Sequence, residues 1–280
     1  MKKKKTFLLF TLLLLMNISC SEFDNSQDIG IDAVSDSISY SVVVADTIIR
    51  TTATLEKCDS MSTRKYIYLT IDDAPLNGSV YIDSIISSEK VKTSLFVVGN
   101  AIDGSSRFSR YYKMFQQNSN IEIYNHSYSH ANNRYVDFYK NPELVLEDFE
   151  KNQSDFNIPY KITRLPGRNL WQIGERKKNY NQTGASSADL LVKNGYKVFG
   201  WDVEWDYDAK DYTPKQSIDE LVQEIEASYN SSRTFTSNHV VLLMHDQMFA
   251  KVDEKNDLRE LISKLKEHNY SFEYLSSYPE

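Results

Sequence analysis

Two adjacent carboxylates stand at the end of an apolar run. Residues 66–71 are β-branched and aromatic in character and lead directly into Asp72 and Asp73. A buried carboxylate is energetically costly unless a cation or hydrogen-bond donors compensate its charge. Pro75, which has no N–H to donate, ends the strand just beyond the pair. Adjacent strand residues point to opposite sides, so we expect one acid to bind a metal ion and the other to accept a proton.

Two histidines four positions apart, His126 and His130, follow a second strand-like run at 121–125. At the start of a helix or in a tight turn, this spacing points both imidazoles in one direction. Two imidazoles and one carboxylate leave positions open for water and substrate, which is the ligand pattern of a catalytic zinc site. The simpler interpretation is a pair of histidines that hydrogen-bond within a surface turn.

Polar side chains also stand at the ends of three later strand-like runs. They are Arg164, Asp202 with Glu204, and His245 with Asp246. Three of the five histidines of the chain therefore lie at strand ends, which a random scatter would not favour.

The elements that must position these residues alternate along the chain from Lys65 onward. Strand-like runs occupy 66–71, 92–98, 121–125, 161–164, 197–203, 240–244 and 271–275. Helix-like runs occupy 79–89, 107–118, 142–156, 186–194, 216–229 and 254–268. Seven strands that alternate with six helices predict an α/β fold whose parallel sheet is closed, or nearly closed, into a barrel. Such folds bind ligands at the carboxyl ends of their strands, where the polar side chains lie.

Four segments resemble, in order and spacing, the motifs of the NodB-type polysaccharide deacetylases, a family of carbohydrate esterases. They are Thr70 to Pro75, His126 to His130, Arg164 to Gly167, and Leu242 to Asp246. The resemblance extends over about residues 65–280. It implies the distorted (β/α)7 barrel of that family, which agrees with the seven strands counted from the hydrophobic pattern.

The resemblance also implies a role for each matching residue. Asp72 would be the general base, and Arg164 would orient it. Asp73, His126 and His130 would hold a divalent metal ion, usually zinc, although cobalt or nickel also suits such ligands. His245 would be the general acid that protonates the leaving amine. The backbone N–H near Gly167 would stabilise the oxyanion together with the metal.

Four positions depart from the family pattern. Ile71 stands where the family usually has phenylalanine. Ala74 stands where the family usually has glycine, which permits unusual backbone angles. Gly167 replaces an aromatic residue, and Arg168 replaces a glycine. Arg168 either binds substrate or is simply solvated.

The acid that follows the fifth strand is harder to assign. Either Asp202 or Glu204 would pair with Arg164, with a slight preference for Glu204, and Asp206 remains a third choice. Among the three tryptophans near strand ends, Trp205 and Trp171 are candidates to stack on a sugar ring. Packing in the core is the competing interpretation for both, and it is favoured for Trp201.

The sequence pattern at the N-terminus is typical of an export signal. Four lysines precede an apolar run of about a dozen residues at 7–18, which is too short to anchor stably in a bilayer. Cys20 follows a small residue directly after this run and resembles the lipidated first residue of a bacterial lipoprotein. We therefore expect a signal peptide at 1–19, a tether at 20–60 with a possible extra strand at 41–54, and a catalytic domain at 61–280.

Charge and context limit the partners. Removal of residues 1–19 deletes four lysines and no acid, which leaves 28 basic and 39 acidic residues and a net charge of −11. Such a protein is a poor candidate for binding nucleic acid. We expect a monomer held to a membrane only by its lipid anchor, located in the cell envelope as an outer-membrane lipoprotein that is periplasmic or surface-exposed.

The expected function is metal-dependent hydrolysis of acetyl groups on the N-acetylated sugars of a polysaccharide or oligosaccharide. One alternative is an O-acetyl esterase that acts on hemicellulose. Another is a glycan-binding lipoprotein of the same fold that has lost turnover, which the altered positions Ala74, Gly167 and Arg168 suggest.

Overall fold

The computed structural model describes residues 38–44, 47–53, 64–179 and 182–280, the first two ranges by their backbone alone. The expected signal peptide, Cys20 and most of the expected tether lie outside the described residues. The chain divides into two compact units, Met1–Met61 and Ser62–Glu280. In the first unit, β1 (Ile38–Val44) and β2 (Thr47–Ala53) form an antiparallel pair, so the region expected to add one strand contributes to two.

The second unit contains a ten-stranded sheet with helices packed against it. Its strands are β3 (Lys65–Ala74), β4 (Thr93–Val97), β5 (Ile121–Asn125), β6 (Ile162–Thr163), β7 (Leu170–Ile173), β8 (Arg176–Asn179), β9 (Lys197–Val198), β10 (Val203–Glu204), β11 (His239–His245) and β12 (Tyr270–Phe272). The order is β10-β11-β3-β4-β5-β6-β9-β7-β8, and β12 also pairs with β3. The pairs from β10 to β9 are parallel, whereas β7 and β8 form an antiparallel hairpin that extends from β9.

The segment 197–205 closes this sheet into a distorted barrel. Its first part pairs with β6, and the N–H of Phe199 donates to Thr163 O. Its last part pairs with β11, and the N–H of Asp202 donates to Val241 O. The predicted fifth strand is thus divided into β9 and β10, because one segment must pair with both ends of the sheet. The predicted fold class, a distorted α/β barrel, is confirmed.

Eight helices belong to this unit in the described part of the chain. They are α1 (Ser79–Glu89), α2 (Gly99–Gly104), α3 (Ser106–Gln117), α4 (Tyr135–Phe138), α5 (Pro142–Asp155), α6 (Ala185–Lys193), α7 (Ile218–Asn230) and α8 (Leu258–Glu267). Their ends follow local rules: Asn141 accepts a hydrogen bond from Leu144 N and precedes Pro142, and Ser217 forms a capping box with Glu220. No helix in the described residues is both long and apolar enough to cross a bilayer.

Strand alternation divides the core into two layers. Ile67 and Leu69 of β3 pack with the apolar faces of the helices outside the barrel. Tyr68 of β3, Phe96 of β4 and Tyr124 of β5 pack together inside it. Since side chains alternate along a strand, positions two and four beyond Tyr68 also face the interior. The rule places Thr70 and Asp72 on the inner face.

Candidate active site

The carboxyl end of β3 carries a bulge that changes the direction of one acid. Pairing with β4 shifts between Ile71 and Ala74, so that Asp72 and Asp73 together oppose one residue of β4. Asp73 has a φ of +64°, a left-handed conformation that aspartate adopts more readily than most residues. A bulge redirects a side chain that strict alternation would place on the other face. Both acids therefore reach the same site.

Ala74 lies beside this bulge and is fully buried in the strand. It pairs with Val97 of β4, and its carbonyl accepts a hydrogen bond from Val98 N. The left-handed backbone angle belongs to Asp73 rather than to Ala74. A glycine is therefore not needed for the conformation at this position.

Asp72 forms a buried ion pair with Arg164. The Arg164 Nη1 atom lies 2.8 Å from Asp72 Oδ1, and Arg164 is fully buried. Burial raises the pKa of Asp72, and the positive charge of Arg164 opposes that rise. The hydrogen bond from Arg164 holds the Asp72 carboxylate in one orientation. Truncation of either partner would leave an uncompensated buried charge.

The remaining N–H groups of Arg164 bind oxygen atoms of the barrel wall. They donate to Thr70 Oγ1 at 2.8 Å, to Phe199 O at 3.3 Å and to Gly200 O at 2.7 Å. Among the described residues, Asp72 is the one acid in ion-pair contact with Arg164.

The expectation that Glu204 or Asp202 pairs with Arg164 is therefore wrong. Both act on it only through longer-range charge. Asp202 instead accepts hydrogen bonds from the main-chain N–H groups of Phe235 and Val241.

The two predicted histidine ligands lie on a tight turn after β5. Ser127 and His130 both have positive φ angles, and His130 N donates to Ser127 Oγ. The side chain of Asn125 accepts from Ser127 N, and the carboxylate of Asp148 accepts from Ser129 N. The turn, rather than an α-helix, points both imidazoles in one direction.

Asp73, His126 and His130 form a three-residue group with the geometry of a metal site. Their ligand atoms all lie within 4.8 Å of one another. His130 Nε2 is 3.0 Å from Asp73 Oδ1, and His126 Nε2 is 3.6 Å from the same oxygen. Asp73 Oδ1 is buried and, among the described residues, has no partner with hydrogen-bond geometry. Such an orphaned buried oxygen between two imidazole nitrogens fits a bound cation.

The distal nitrogens of both imidazoles support this assignment. His126 Nδ1 lies 2.9 Å from the carbonyl oxygen of Arg164, which can only accept, so the proton resides on Nδ1 and Nε2 has a free lone pair. His130 Nδ1 faces Asn133 Oδ1 at 3.4 Å. Burial lowers the pKa of His126 to about 3, with a further contribution from His130, so its imidazole is neutral at physiological pH. Neutral imidazole is the form that binds metal.

The charges of the three groups respond to one another. Burial lowers the pKa of His130, but the Asp73 carboxylate, whose Oδ1 lies 3.0 Å from His130 Nε2, outweighs that effect and raises the pKa overall. Burial likewise raises the pKa of Asp73, and the interactions with His130 and His126 reverse this to a strongly lowered pKa. Asp73 therefore remains ionised, as a metal ligand must.

His245 pairs in register with Asp72 across β11 and β3, which places it beside the proposed base. Burial lowers its pKa, and the charges of Asp73 and Asp72 partly oppose this. Its Nδ1 atom is buried with no hydrogen-bond partner in the described structure. The neighbouring Asp246 does not supply one: its carboxylate accepts from Gly78 N at 2.8 Å and from Ser79 Oγ at 2.6 Å, and so fixes the loop after Pro75.

These side chains line a common cavity of about 410 Å3. Its walls are Asp72, Asp73, His126, His130, Tyr135, Gly167, Trp201, Glu204, Asp206, Tyr207, Ala209, Leu243 and His245. The sequence did not indicate Tyr135 or Tyr207, and it favoured core packing for Trp201, which lines the cavity. The guanidinium carbon of Arg164 lies 5.8 Å from the centroid of the Trp201 ring. Tyr135 lies only five positions after His130, and this closeness in sequence is the signal that could have identified it as a site residue.

The two tryptophans expected to stack on sugar are both in the core. Trp205 is fully buried and its Nε1 donates to Gln216 O. Trp171 is 2% exposed and stacks on Phe235 with centroids 4.4 Å apart. Neither ring has a face available to a ligand.

Arg168 packs against neighbouring protein groups, whereas the sequence suggested either substrate binding or simple solvation. Its guanidinium donates to Thr183 and to Gly167 O and lies over the rings of Tyr135 and Tyr139, 5.5 and 5.0 Å from their centroids. Gly167 has a φ of +63°, and a Cβ there would meet the Tyr135 ring at 3.2 Å. The missing side chain at 167 thus makes room for Tyr135, and Arg168 braces it.

Comparison with known proteins shows which family this arrangement resembles. Residues 59–167 match the family model described as polysaccharide deacetylase. This match agrees with the resemblance to the NodB-type polysaccharide deacetylases that the four sequence motifs carry. The polysaccharide deacetylase match includes the bulge, the histidine turn and Arg164.

Two curated relatives and one solved structure show how much of the chain is similar to known proteins. The chitin disaccharide deacetylase of Vibrio alginolyticus is 25% identical over 208 residues, which cover 51% of this chain and 48% of that protein. The putative polysaccharide deacetylase YheN of Bacillus subtilis is 28% identical over 212 residues, 74% of this chain and 66% of that protein. The chain thus spans about half the length of the first relative and somewhat under two thirds of the second. A polysaccharide deacetylase structure from Bacillus cereus has the same fold, with a TM-score of 0.54 and 23% identity over 77% of this chain and 95% of that chain.

Proposed function

We propose that the domain is a metal-dependent hydrolase that removes acetyl groups from N-acetylated sugars of a glycan. The observation that carries this proposal is the convergence of Asp72, His245 and the group Asp73, His126 and His130 on one cavity. The family match and the named activities of the relatives support the same reaction class.

Zinc is the cation that two imidazoles and one carboxylate suit best. A divalent cation held by these residues would supply Lewis acidity, which lowers the pKa of a water molecule and polarises a carbonyl group. The residues of the chain account for the proton transfers. Asp72, oriented by Arg164, accepts the proton of the attacking water, and His245 donates a proton to the departing nitrogen.

Other residues that line the cavity can bind the substrate. In the described residues the N–H of Gly167 makes no hydrogen bond to protein, so it is free to donate to the oxyanion that forms on the acetyl carbon. The partly buried ring of Trp201 lines the cavity and offers an apolar face to a pyranose ring. The inward placement of Glu204 and Asp206 adds acceptors for sugar hydroxyls.

The decisive experiment measures acetate release from a panel of acetylated glycans. The panel contains N-acetylglucosamine oligomers, peptidoglycan and acetylated xylan, each with zinc and after treatment with a chelator. We expect release from an N-acetylated member, loss with chelator and recovery on zinc addition. Release that persists in metal-free protein would contradict metal dependence.

An O-acetyl esterase is the second candidate, because the same base and cation serve ester hydrolysis. An alcohol leaves more easily than an amine, so the two reactions differ in their need for an acid. Replacement of His245 by alanine should therefore reduce amide hydrolysis far more than ester hydrolysis. Equal losses on both substrates would remove the acid role from His245.

A third candidate is a glycan-binding protein without turnover. The departures at Ala74, Gly167 and Arg168 suggest it from the sequence, but in the structure Gly167 and Arg168 accommodate and brace Tyr135 rather than disrupt the cavity. Binding of glycan by the metal-loaded protein, with no acetate released, would favour this candidate.

We also propose that the protein is a lipoprotein of the cell envelope, anchored through Cys20. The support is the sequence pattern at 1–20, which lies outside the described residues. Replacement of Cys20 by serine should move the protein from the membrane fraction to the soluble fraction and abolish incorporation of labelled fatty acid. Unchanged labelling would contradict the anchor.

A further inference from the structure

Hydrogen bonds orient the two imidazoles of the candidate metal site unequally. His126 Nδ1 lies 2.9 Å from the carbonyl oxygen of Arg164, and the side chain of His126 is 2% exposed. His130 Nδ1 faces Asn133 Oδ1 at 3.4 Å, which is long for a hydrogen bond, and the side chain of His130 is 21% exposed. A ligating imidazole depends on its distal partner for a fixed ring plane. The ring of His130 therefore needs a further contact to hold it.

The backbone that carries His130 is strained. The φ angle is positive at four consecutive residues, with values of +50°, +54°, +47° and +56° at His130, Ala131, Asn132 and Asn133. Residues other than glycine visit this left-handed region mostly one at a time, so a run of four is unusual. Such a backbone persists only where its surroundings hold it in place.

Contacts hold this turn at both ends. At its start, His130 N donates to Ser127 Oγ at 3.0 Å. Beyond its end, the chain enters α4 with Tyr135, whose ring packs against the loop that follows β6. A Cβ at Gly167 would lie 3.2 Å from Tyr135 Cε1, and the guanidinium carbon of Arg168 lies 5.5 Å from the ring centroid. The ring of Tyr135 therefore fills space that a side chain at position 167 would need.

The same ring contacts His130. The two rings meet edge to face, with centroids 5.8 Å apart and planes at 85° to each other. Aromatic rings favour this arrangement, so the contact restricts the orientation of the imidazole. The hydroxyl group of Tyr135 adds little, because its hydrogen bond to Asn133 Oδ1 is 3.5 Å long. The ring is thus the part of Tyr135 that can orient His130.

We propose that Tyr135 is a positioning residue for His130. Its ring, seated in the space beside Gly167, fixes the plane of the imidazole and keeps Nε2 directed at the metal position that Asp73 Oδ1 also faces. The inference rests on the metal site of the proposed function, and it adds a residue outside the ligand set that controls how tightly the metal is bound.

Zinc affinity, measured by competition with a chromogenic chelator, tests the role of the ring. The dissociation constant should rise about tenfold or more in Tyr135→Ala, as it does when other groups that orient a ligating histidine are removed. Tyr135→Leu should show the same loss, because leucine replaces most of the volume but not the ring, and it serves as the test if the alanine variant does not fold. Tyr135→Phe keeps the ring and should bind zinc as the wild type does.

Val136→Ala is the matched control, because Val136 lies on the same helix and is 60% exposed. It should bind zinc with wild-type affinity. Wild-type affinity in Tyr135→Ala and Tyr135→Leu would overturn the inference. Affinity that is as weak in Tyr135→Phe as in Tyr135→Ala would overturn the role of the ring.

Gly167→Ala tests the same contact from the other side. The added Cβ would displace the Tyr135 ring, so the zinc dissociation constant should rise about fivefold. In the Tyr135→Ala background the same change should leave zinc affinity as it is, because the ring is absent. Backbone strain at the positive φ of Gly167 is common to both backgrounds and cancels in the comparison. An equal loss in both would show that Gly167 does not act through Tyr135 and would overturn the inference.

A spectroscopic measurement separates positioning from a loss of stability. The visible absorption of the cobalt-loaded protein depends on the geometry around the metal. The spectrum should change in Tyr135→Ala and match that of the wild type in Tyr135→Phe. An unchanged spectrum in Tyr135→Ala would contradict the positioning role.

Acetate release distinguishes this inference from the proposed function. A wild type that binds zinc but releases no acetate contradicts the proposed function, and the zinc affinities of the variants still decide the role of Tyr135. Zinc-dependent acetate release, together with equal zinc affinity in all variants, supports the function and overturns the positioning role. A wild type that binds no zinc overturns both.

Discussion

The main-chain oxygen of Arg164 lies 2.9 Å from Nδ1 of His126. Because the side chain of Arg164 also holds Asp72, this one residue orients a proposed metal ligand with its backbone and the proposed base with its guanidinium. The two halves of the site are therefore mechanically linked at the end of β6.

Replacement of Asp72 by asparagine should separate catalysis from metal binding. The amide keeps the shape of the side chain but cannot accept the proton, so acetate release should fall about 100- to 10,000-fold. Metal content, measured by mass spectrometry of the purified protein, should remain at the wild-type level. Asp73→Asn is the matched change one position along, and it should lose the metal instead. Retained turnover in Asp72→Asn would remove the proposed base.

Replacement of Arg164 by methionine should destabilise the barrel. It leaves the Asp72 carboxylate buried without a partner, so the free energy of unfolding in urea should fall by about 3–5 kcal/mol. The double variant Asp72→Asn/Arg164→Met has no uncompensated charge and should recover part of this loss. A double variant whose loss equals the sum of the two single losses would show that the two side chains are not coupled.

Trp201 and Trp205 should respond to alanine substitution in opposite ways. Trp205 is fully buried, so its removal should lower the free energy of unfolding by about 3–5 kcal/mol. Trp201 lines the cavity, so its removal should raise KM for an acetylated oligosaccharide with a smaller effect on stability. Thermal unfolding and steady-state kinetics on both variants measure the difference, and a Trp201→Ala protein with wild-type KM would exclude a sugar contact.

Asp202 should make stability depend on pH. Burial raises its pKa to about 6 from an ordinary value of 3.8, and the main-chain donors Val241 and Phe235 only partly oppose that rise. The folded protein thus binds this proton more tightly than the unfolded chain, and the contribution of Asp202 to stability falls as pH increases from about 4 to about 6. The free energy of unfolding of the wild type relative to Asp202→Asn should decline across this range and level off above it. A difference that is constant with pH would contradict the raised pKa.

Regular strands made part of the site predictable. Alternation along β3, β5 and β11 places Asp72, His126 and His245 on the inner face, and the hydrophobic pattern alone locates those strands. The six helix-like runs likewise correspond to α1, α3 and α5 to α8, because amphipathic periodicity is a property of the local sequence. The seven predicted strands all occur, although the fifth is interrupted.

Irregular backbone accounts for what the sequence did not reveal. In the segment 197–205, Phe199 and Trp201 face the interior whereas Val203 and Trp205 face the helices, so alternation changes phase where the segment crosses between two partner strands. The choice between Trp201 and Trp205 depended on this change. Arg168 was also out of reach, because its partner Thr183 lies in a loop whose path only tertiary packing decides.

The pairing of β3 has a consequence for how the chain folds. Thr70 of β3 donates a hydrogen bond to Leu242 of β11, although the two residues are 172 positions apart. During synthesis the β3 strand therefore emerges long before β11 and β12, and one of its edges has no partner until the chain is nearly complete. Contacts so distant in sequence slow folding, because the loop that joins them must close first. A ribosome-bound chain that ends before β11 should consequently expose β3 to chaperones and proteases, and the site can form only after the last strands arrive.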